Sequence, residues 1–162
     1  MSEILMTRRR KIVRFTCHHV PAKPGIAGRL FTALGKKEIN ILHMFNTEHG
    51  ETEGDISFSV GESCFQKAEE VLREAGDEIG IGSVTVEHNL AMLSFDLEET
   101  VCETVLGTMT LALSALSKEQ VDVKHVAASR NRIFVVLPDE EADRASFILS
   151  RVLKEDPIIH PI

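Results

Sequence analysis

The sequence contains no tryptophan and no tyrosine, so phenylalanine supplies all of its large aromatic side chains. Proteins that bind single-stranded nucleic acid stack bases on such side chains, and only phenylalanine is available for that here. Basic charge is also scarce, because 18 lysines and arginines stand against 25 aspartates and glutamates and leave a net charge of −7. A nucleic-acid-binding surface needs a basic footprint, so the composition argues against that class of function.

Cysteine and long hydrophobic runs are scarce as well. The three cysteines, Cys17, Cys64 and Cys102, are odd in number and widely spaced, which does not fit a disulfide framework. No apolar run approaches the roughly 18 residues that a membrane-spanning helix needs. An apolar patch at residues 4–6 precedes the basic run at residues 8–11, which is the reverse of the order in a signal peptide. We therefore expect a reduced, cytoplasmic chain without a membrane segment.

What the sequence does contain is an internal repeat. The segment ALGKKEINI at residues 33–41 returns at residues 115–123 as ALSKEQVDV. Gly25 and Gly107 precede the shared Ala-Leu pair by the same number of residues, and further segments recur in the same order. Such a repeat predicts two similar units of about eighty residues rather than one large domain.

Hydrophobic periodicity divides the first copy into strand, helix, strand, strand, helix and strand. Apolar and polar residues alternate over residues 13–17 and 55–60, as in half-buried strands, and apolar residues recur at helical spacing over residues 26–34. We interpret residues 39–45 as the second strand and residues 80–88 as the fourth. This βαββαβ order is the ferredoxin-like motif, an α+β fold with both helices on one face of the sheet.

The second copy begins at about Leu90 and repeats strand, helix, hairpin and helix, but it lacks a fourth strand. Its hairpin strands are predicted at residues 121–128 and 132–137, and its tail contains two prolines, which are unsuited to a central strand. Residues 3–7, ahead of the first copy, form a spare strand that we expect to complete the second sheet. The basic run at residues 8–11 is then a solvated turn between two strands.

The predicted domains are residues 11–89 for the first unit and residues 3–7 plus 90–156 for the second, so the first unit is inserted in the second. The second strand of the first unit is apolar on both sides, with Ile41 and Phe45 predicted to point one way and Leu42 and Met44 the other. One of these two apolar sides is expected to pack against the helices. The other side needs a partner, which we expect to be another unit or another chain.

Three segments of the first copy resemble the first ACT domain of aspartokinase regulatory regions. They are VPAKPGIA at residues 20–27, INI at residues 39–41 and GDISF at residues 54–58, and the order of segments matches from residue 3 to residue 154. The resemblance implies two ACT units side by side, the first inserted in the second. It also implies pairing of ACT units across a homodimer and a small amino acid bound at the interface between them.

A non-catalytic function follows from the same resemblance. We expect allosteric regulation by an amino acid of the aspartate family, with lysine, threonine and methionine as candidates. The chain would act on an amino-acid kinase catalytic chain, as a separate regulatory subunit or as part of an aspartate kinase. The resemblance implies no cofactor.

The residues of the first unit support such a site on physical grounds. Pro24-Gly25 opens a helix, so the N–H groups of Ile26 and Ala27 are predicted to be unpaired at the positive end of the helix dipole and to attract a carboxylate. Polar groups on the neighbouring strands could bind an α-amino group or an effector side chain. The predicted effector-binding residues are Ala22, Lys23, Pro24, Gly25, Ile26, Ala27, Asn40, Asn46 and Asp55.

The sequence departs from the family pattern at three places. Ala22 stands where the family usually carries an acidic residue, and Asn46 stands where a longer glutamine is expected. In the second unit, Leu106-Gly107 replaces the Pro-Gly turn and lies inside a helix predicted to start near Thr100. We therefore expect the second unit to be mostly structural and each chain to hold one effector site.

Other functions have less support. The alternative is a tandem-ACT regulator similar to glycine-cleavage repressors, which acts through a protein partner. An RNA-binding ferredoxin-like domain would need a basic face with exposed aromatic residues. Cys17, His18 and His19 are adjacent in a strand, where neighbouring side chains point to opposite faces, so we expect no metal site there. The sequence has no recognisable phosphate loop or nucleophile motif, and we expect no catalytic residues.

Overall fold

The computed structural model describes residues 5–96, 105–129 and 132–155. None of the helices in these ranges is long and apolar enough to cross a membrane. The elements in chain order are β1 (Leu5–Pro21), α1 (Ile26–Lys36), β2 (His43–Glu48), β3 (Glu53–Gly61), α2 (Phe65–Ile79), β4 (Ser83–Asp96), α3 (Val105–Lys118), β5 (His125–Ala128), β6 (Arg132–Pro138) and α4 (Ala142–Glu155). They group into two compact units, Lys11–His88 (the first unit) and Met1–Arg10 with Asn89–Ile162 (the second unit).

The first unit has the strand order β2-β3-β1-β4, and α1 and α2 cover one face of this sheet. Phe58 of β3 lies opposite Phe15 of β1 and Met44 of β2, so all three side chains share a face. The rings of Phe15 and Phe58 stack with centroids 5.3 Å apart, and both are fully buried. Leu30 and Leu34 of α1 pack against this layer. The alternating strand pattern and the helical spacing that predicted these faces are confirmed.

The second unit has the strand order β1-β4-β6-β5 and its own apolar core. Leu93 lies opposite Val135 and Phe95 opposite Ile133 in the β4–β6 pair, and all four are buried. Met6, in the N-terminal part of β1, packs against this core. The predicted fold class is confirmed: the fold is α+β with ferredoxin-like units, and the first unit lies in sequence between the two parts of the second.

The prediction of a turn at residues 8–11 is wrong, because β1 continues through these residues as a strand. Arg8 and Arg10 form ion pairs with Asp143, and Arg10 also bonds the carboxylate of Asp139 at 2.8 Å. Residues 8–11 are four consecutive charged residues with no alternating apolar pattern, so no strand could be predicted there from periodicity. Asp139 lies just before α4 and Asp143 lies in its first turn, and their ion pairs stabilise the arginines within the strand.

The predicted second strands also begin too early. We expected strands from residues 39 and 121, whereas β2 begins at His43 and β5 at His125. In each unit the preceding residues first close the helix and then cross to the sheet edge. Consequently Ile41 packs into the core, whereas Phe45 lies on the opposite face of the sheet, opposite Ser57. The prediction that these two side chains point the same way is therefore wrong.

The repeated segment is a helix-ending motif. Glu38 and Gln120 both have left-handed backbone, with φ of 55° and 57°. The next amide bonds back to the carbonyl five residues earlier, Ile39 to Leu34 at 3.2 Å and Val121 to Leu116 at 2.9 Å. This is the Schellman pattern, and the apolar residue that follows the cap is buried in both copies. The sequence repeat thus records a shared way of ending a helix above a core. The predicted second-unit helix start near Thr100 and the proline-containing tail lie outside the described residues.

Candidate functional site

A cavity of about 170 Å³ lies in the first unit between the β1–α1 loop and the β2–β3 hairpin. The amide of Ala22 in this loop donates to the carbonyl of Thr52 in the hairpin at 2.9 Å, so the two walls are joined by a backbone hydrogen bond. The volume equals that of about six water molecules in the liquid, which is enough for a small polar molecule. The lining residues are Val20, Pro21, Ala22, Lys23, Ile26, Ala27, Asn46, Thr47, Glu48, Glu53, Gly54, Asp55 and Ile56.

The first turn of α1 forms one wall of this cavity. Gly25 caps the helix with φ of 87°, a conformation that favours glycine, and its carbonyl accepts from Arg29 at 2.9 Å. The amide of Ile26 donates to the carbonyl of Lys23 at 3.3 Å, so the prediction that this N–H is unpaired is wrong. Ala27 lies in the first turn, where helical N–H groups have no intrahelical acceptor. Its amide is therefore the better carboxylate donor of the two.

The two predicted asparagines differ in position. Asn46 lies opposite Ile56 in the β2–β3 pair, on the helix-covered face, and lines the cavity. Asn40 is exposed and precedes β2, and it does not line the cavity. The sequence placed both on one strand. In one continuous strand, side chains at positions 40 and 46 would lie on the same face. Because β2 begins only at His43, Asn40 is not part of that strand.

Asp55 lines the cavity, but its carboxylate is already engaged. Oδ2 accepts from His18 Nδ1 at 2.8 Å and lies 3.2 Å from His49 Nε2, and Oδ1 accepts from the amide of His19 at 3.2 Å. Burial alone would raise the pKa of Asp55, but these hydrogen bonds outweigh it and lower the pKa below its ordinary value. The carboxylate therefore stays ionised while it holds its three partners.

A bulge in β1 explains why two consecutive histidines meet Asp55. Cys17 lies opposite Ile56, but the next pair is Val20 opposite Gly54, so β1 contains one extra residue here. His19 has φ of 55° within this bulge, and its Nδ1 lies 3.1 Å from a carboxylate oxygen of Glu53. His18, His49 and the lining glutamates Glu48 and Glu53 were missed as site residues. The irregular His-His pair is the signal that could have pointed to them.

Cys17 faces the core and not the histidines. Its side chain is fully buried among the helices, and burial together with the charge of Asp55 raises the pKa of its thiol to about 12. His18, in contrast, bonds to Asp55 and Thr85 on the other face of the sheet. Across residues 5–96, 105–129 and 132–155, no group of three histidine, cysteine or acidic side chains is arranged to hold a metal ion.

A second, larger cavity of about 540 Å³ lies between α1 and α2 in the same unit. Gly25 lines this cavity and not the smaller one, as do Arg29 and Glu78, which form an ion pair across it. It is a surface groove between two helices. The smaller cavity is the better candidate for a ligand, because a helix N-terminus, an amide side chain and carboxylates all line it.

Residues 17–75 match the family model of the ACT domain. This segment is similar to an ACT domain. It includes the bulge of β1, the β1–α1 loop, the hairpin and most of α2, and hence every residue that lines the smaller cavity. The chain as a whole resembles aspartokinase regulatory regions, as its sequence segments predicted.

Curated relatives and solved structures agree on this resemblance. An aspartate kinase from Pseudomonas putida is 25% identical over 133 residues, which are 82% of this chain and 32% of that protein. The chain thus spans about a third of the length of the curated relatives it matches. The ligand-free regulatory subunit of aspartate kinase from Thermus thermophilus has a TM-score of 0.78 at 22% identity, covering 91% of this chain and 95% of that one. A chain of the structure of aspartokinase alpha and beta subunits gives 0.79 at 20% identity, covering 94% and 99%. At these identities the structural likeness shows the fold.

Proposed function

We propose that the chain is a non-catalytic regulatory protein that binds a small amino acid in its ACT domain and thereby controls an aspartate kinase catalytic chain. The observation that carries the proposal is the cavity between the β1–α1 loop and the hairpin, which brings a helix N-terminus and polar side chains together. The match to the ACT family and the likeness to aspartokinase regulatory subunits support the regulatory part. Lysine, threonine and methionine are the candidate effectors.

In this proposal the two ends of the amino acid bind opposite walls. Its carboxylate lies at the N-terminus of α1, where the amide of Ala27 and the helix dipole favour negative charge. Its ammonium group lies towards the hairpin, where the Asn46 side chain accepts a hydrogen bond and Glu48 and Glu53 supply negative charge. Lys23, Pro24 and Gly25 shape the loop between these walls. Asn40 is left out of this arrangement, because it does not line the cavity.

The proposed assembly is a homodimer through the first units. β2 is the end strand of its sheet, so one backbone edge is available for pairing with another chain. β2 also carries Asn46, Thr47 and Glu48 of the cavity wall, so pairing along this edge would place a second chain next to the ligand. The proposed catalytic partner is an amino-acid kinase chain, because the similar structure named above contains both alpha and beta subunits of aspartokinase.

Thermal unfolding in the presence of each proteinogenic amino acid tests the proposal. A ligand at 100 times its dissociation constant should add about 2.7 kcal/mol to the free energy of unfolding. We expect Asn46→Ala to abolish the shift and Asn40→Ala, a matched exposed asparagine outside the cavity, to preserve it. If no amino acid shifts the transition of the unmodified chain, the proposed function is wrong.

The regulatory step has a separate test. The chain is added to a purified aspartate kinase catalytic chain, and kinase activity is measured with and without the amino acid that shifted the unfolding transition. We expect the ligand to change activity only when the regulatory chain is present. A ligand that binds without changing kinase activity would favour regulation through a different protein partner.

A further inference from the structure

We propose that His18, Asp55 and His49 form a clamp that fixes the β2–β3 hairpin against the end of β1 and so sets the shape of the cavity. The ligand in that cavity rests on the proposed function, whereas the clamp rests on geometry alone. In this assignment Asp55 is a positioning residue. It acts on a ligand through the hairpin and not by direct contact, which differs from its predicted role as a negative partner of the effector.

The clamp joins three segments through one carboxylate. His18 lies in the β1 bulge, Asp55 in β3 and His49 in the loop of the hairpin, and both histidines reach the same oxygen, Oδ2. The second ring nitrogen of His18 bonds to the hydroxyl of Thr85 at 2.9 Å, so β4 holds this imidazole from its other side. A ring bonded at both nitrogens has a fixed orientation, which makes His18 the rigid half of the clamp.

The carboxylate of Asp55 has little capacity left for a ligand. An ionised carboxylate offers about four lone-pair positions, and His18, His49 and the amide of His19 occupy three of them. Hydrogen bonds to an ionised group are stronger than those between neutral groups, so these partners are not readily displaced. The Asp55 side chain is 18% exposed and that of His18 is 30% exposed, so solvent screens this pair only in part.

The other charged groups near the clamp either pair with a residue outside it or line the cavity. Glu53 pairs with His19 Nδ1 at 3.1 Å, and Glu48 and Lys23 line the cavity. The thiol of Cys17 lies on the other face of the sheet, where burial and, to a lesser extent, the charge of Asp55 raise its pKa. His49 therefore connects the hairpin loop to the carboxylate of Asp55.

The clamp matters to the cavity because it lies at the hairpin tip, residues 49–52, which belongs to neither strand. The amide of His49 donates to the carbonyl of Glu53 at 2.9 Å, and Ala22 donates to Thr52. Between these bonds lies Gly50, with φ of 81°. Thr47, Glu48 and Glu53 line the cavity from this hairpin, so a tip that opens would move them together.

Hydrogen exchange of the full-length chain without ligand tests the clamp. We expect His49→Ala to speed exchange of the Ala22 amide about tenfold, while amides of the β1–β3 ladder near Phe58 keep their rates. His49→Gln should restore slow exchange, because its amide nitrogen can donate to Asp55 from nearly the same place. His88→Ala is the matched control, since His88 is an exposed histidine of the same unit that lies near a different carboxylate, that of Glu62.

The outcomes are decisive in both directions. Equal exchange at Ala22 in the His49→Ala and His88→Ala variants would overturn the clamp, as would a His49→Gln variant that behaves like His49→Ala. A second readout is the imidazole nitrogen chemical shifts of His18, which should change on His49→Ala only if the two rings share the carboxylate. His49 is exposed on the surface, so its substitution is not expected to unfold the chain.

Ligand titration separates this inference from the proposed function. With lysine, threonine and methionine as probes, we expect His49→Ala to weaken binding of the amino acid that binds the unmodified chain, and His49→Gln to recover it. If none of the three binds the unmodified chain, the proposed effectors fail while the exchange rates still decide the clamp. If hairpin exchange rises but affinity is unchanged, the role of the clamp in shaping the cavity is wrong.

Discussion

One residue in each copy of the repeated segment has a left-handed backbone conformation, which L-amino acids rarely adopt. Glu38 and Gln120 have φ near +56° at the ends of α1 and α3, where glycine is the usual residue. Both helices nevertheless end there, because the following Ile39 and Val121 are buried and hold the chain in place. The strain at these positions is local and can be relieved by a single substitution.

Glu38→Gly is expected to stabilise the chain by about 0.5–1 kcal/mol. Glycine removes the steric cost of the left-handed conformation, and the larger conformational entropy of glycine in the unfolded chain offsets part of that gain. Urea unfolding of the variant and the unmodified chain measures the difference. Lys36→Gly, at the end of α1 with helical backbone, is the control and should lower stability by up to about 1 kcal/mol. Equal effects of the two glycines would contradict the explanation from strain.

The lowered pKa of Asp55 predicts the direction in which the free energy of unfolding changes with pH. Its pKa in the folded chain lies below the ordinary value of 3.8, so its contribution to stability is fully present above that value. The contribution is lost as the pH falls through the lowered pKa. Asp55→Asn removes it at all pH values, so the gap in unfolding free energy between the unmodified chain and the variant should narrow between about pH 5 and pH 2. A gap that stays constant would show that Asp55 is not specifically stabilised.

Cys17 and Cys64 should differ in reactivity. Cys17 is fully buried with a thiol pKa of about 12, whereas Cys64 is half-buried. Because the thiolate is the reactive form, we expect iodoacetamide at pH 8 to modify Cys64 in the folded chain and to spare Cys17 until urea is added. Mass spectrometry of the corresponding peptides measures both. Equal labelling of the two cysteines in the absence of urea would contradict the burial of Cys17.

At the scale of elements, the hairpin between β2 and β3 depends on a glycine next to its loop. A Cβ atom on Gly54 would lie 2.5 Å from the carbonyl oxygen of Thr47, which is closer than side chains tolerate. Glu48 lies opposite Gly54 in the β2–β3 pair, and Val20 lies opposite it in the β1–β3 pair. Val20, Glu48 and Gly54 all line the smaller cavity, so the close approach of these backbones lies at its wall.

Gly54→Ala should therefore push the two strands of the hairpin apart, with a loss of about 1–3 kcal/mol of the kind that overpacking causes. Chemical denaturation measures the loss, and amide chemical shifts of residues 47–53 locate it. Gly28→Ala is the matched control, because a Cβ there meets no atom within 4 Å and alanine favours the helix. It should raise stability by up to about 1 kcal/mol. A Gly54→Ala variant as stable as Gly28→Ala would refute the close approach.

Strand and helix faces followed from the sequence more reliably than strand ends. Val13, Phe15 and Cys17 face the core as their alternation predicted, because a period of two fixes the face wherever one side is buried. The ends of β1 and β2 were predicted wrongly, because contacts with residues distant in sequence determine where these strands begin and end. Asp139 and Asp143 accommodate the arginines of β1, and Leu42 first donates to Ser59 just before β2 starts.

At the scale of the whole molecule, the two units share a fold but differ at the start of their first helices. The first unit has Pro24-Gly25 ahead of α1, whereas Gly107 of the second unit lies inside α3. The left-handed glycine that caps α1 therefore has no counterpart at Gly107, which does not have a positive φ. The difference supports the proposal of one effector site in each chain.

This proposal predicts where an effector will protect the chain from hydrogen exchange. An amino acid that shifts the unfolding transition should slow exchange in residues 20–56 by an amount that grows with its concentration. Exchange in residues 107–153 should change far less. Mass spectrometry of peptides from both ranges gives the comparison within one sample. Equal protection of both ranges at every concentration would contradict a single site in the first unit.

The sequence by itself determined the two units, the order of strands and helices within each copy and the buried faces, because each depends on periods and spacings within a short stretch of chain. Only the tertiary structure decided which residues meet. His18 and His49 are 31 positions apart in sequence, and the β1 bulge together with the register of β3 brings both to Asp55. Asn46 reaches the cavity and Asn40 does not, because the backbone pairing of β2 starts between them. Register is set by contacts between distant segments, and a local pattern carries no record of it.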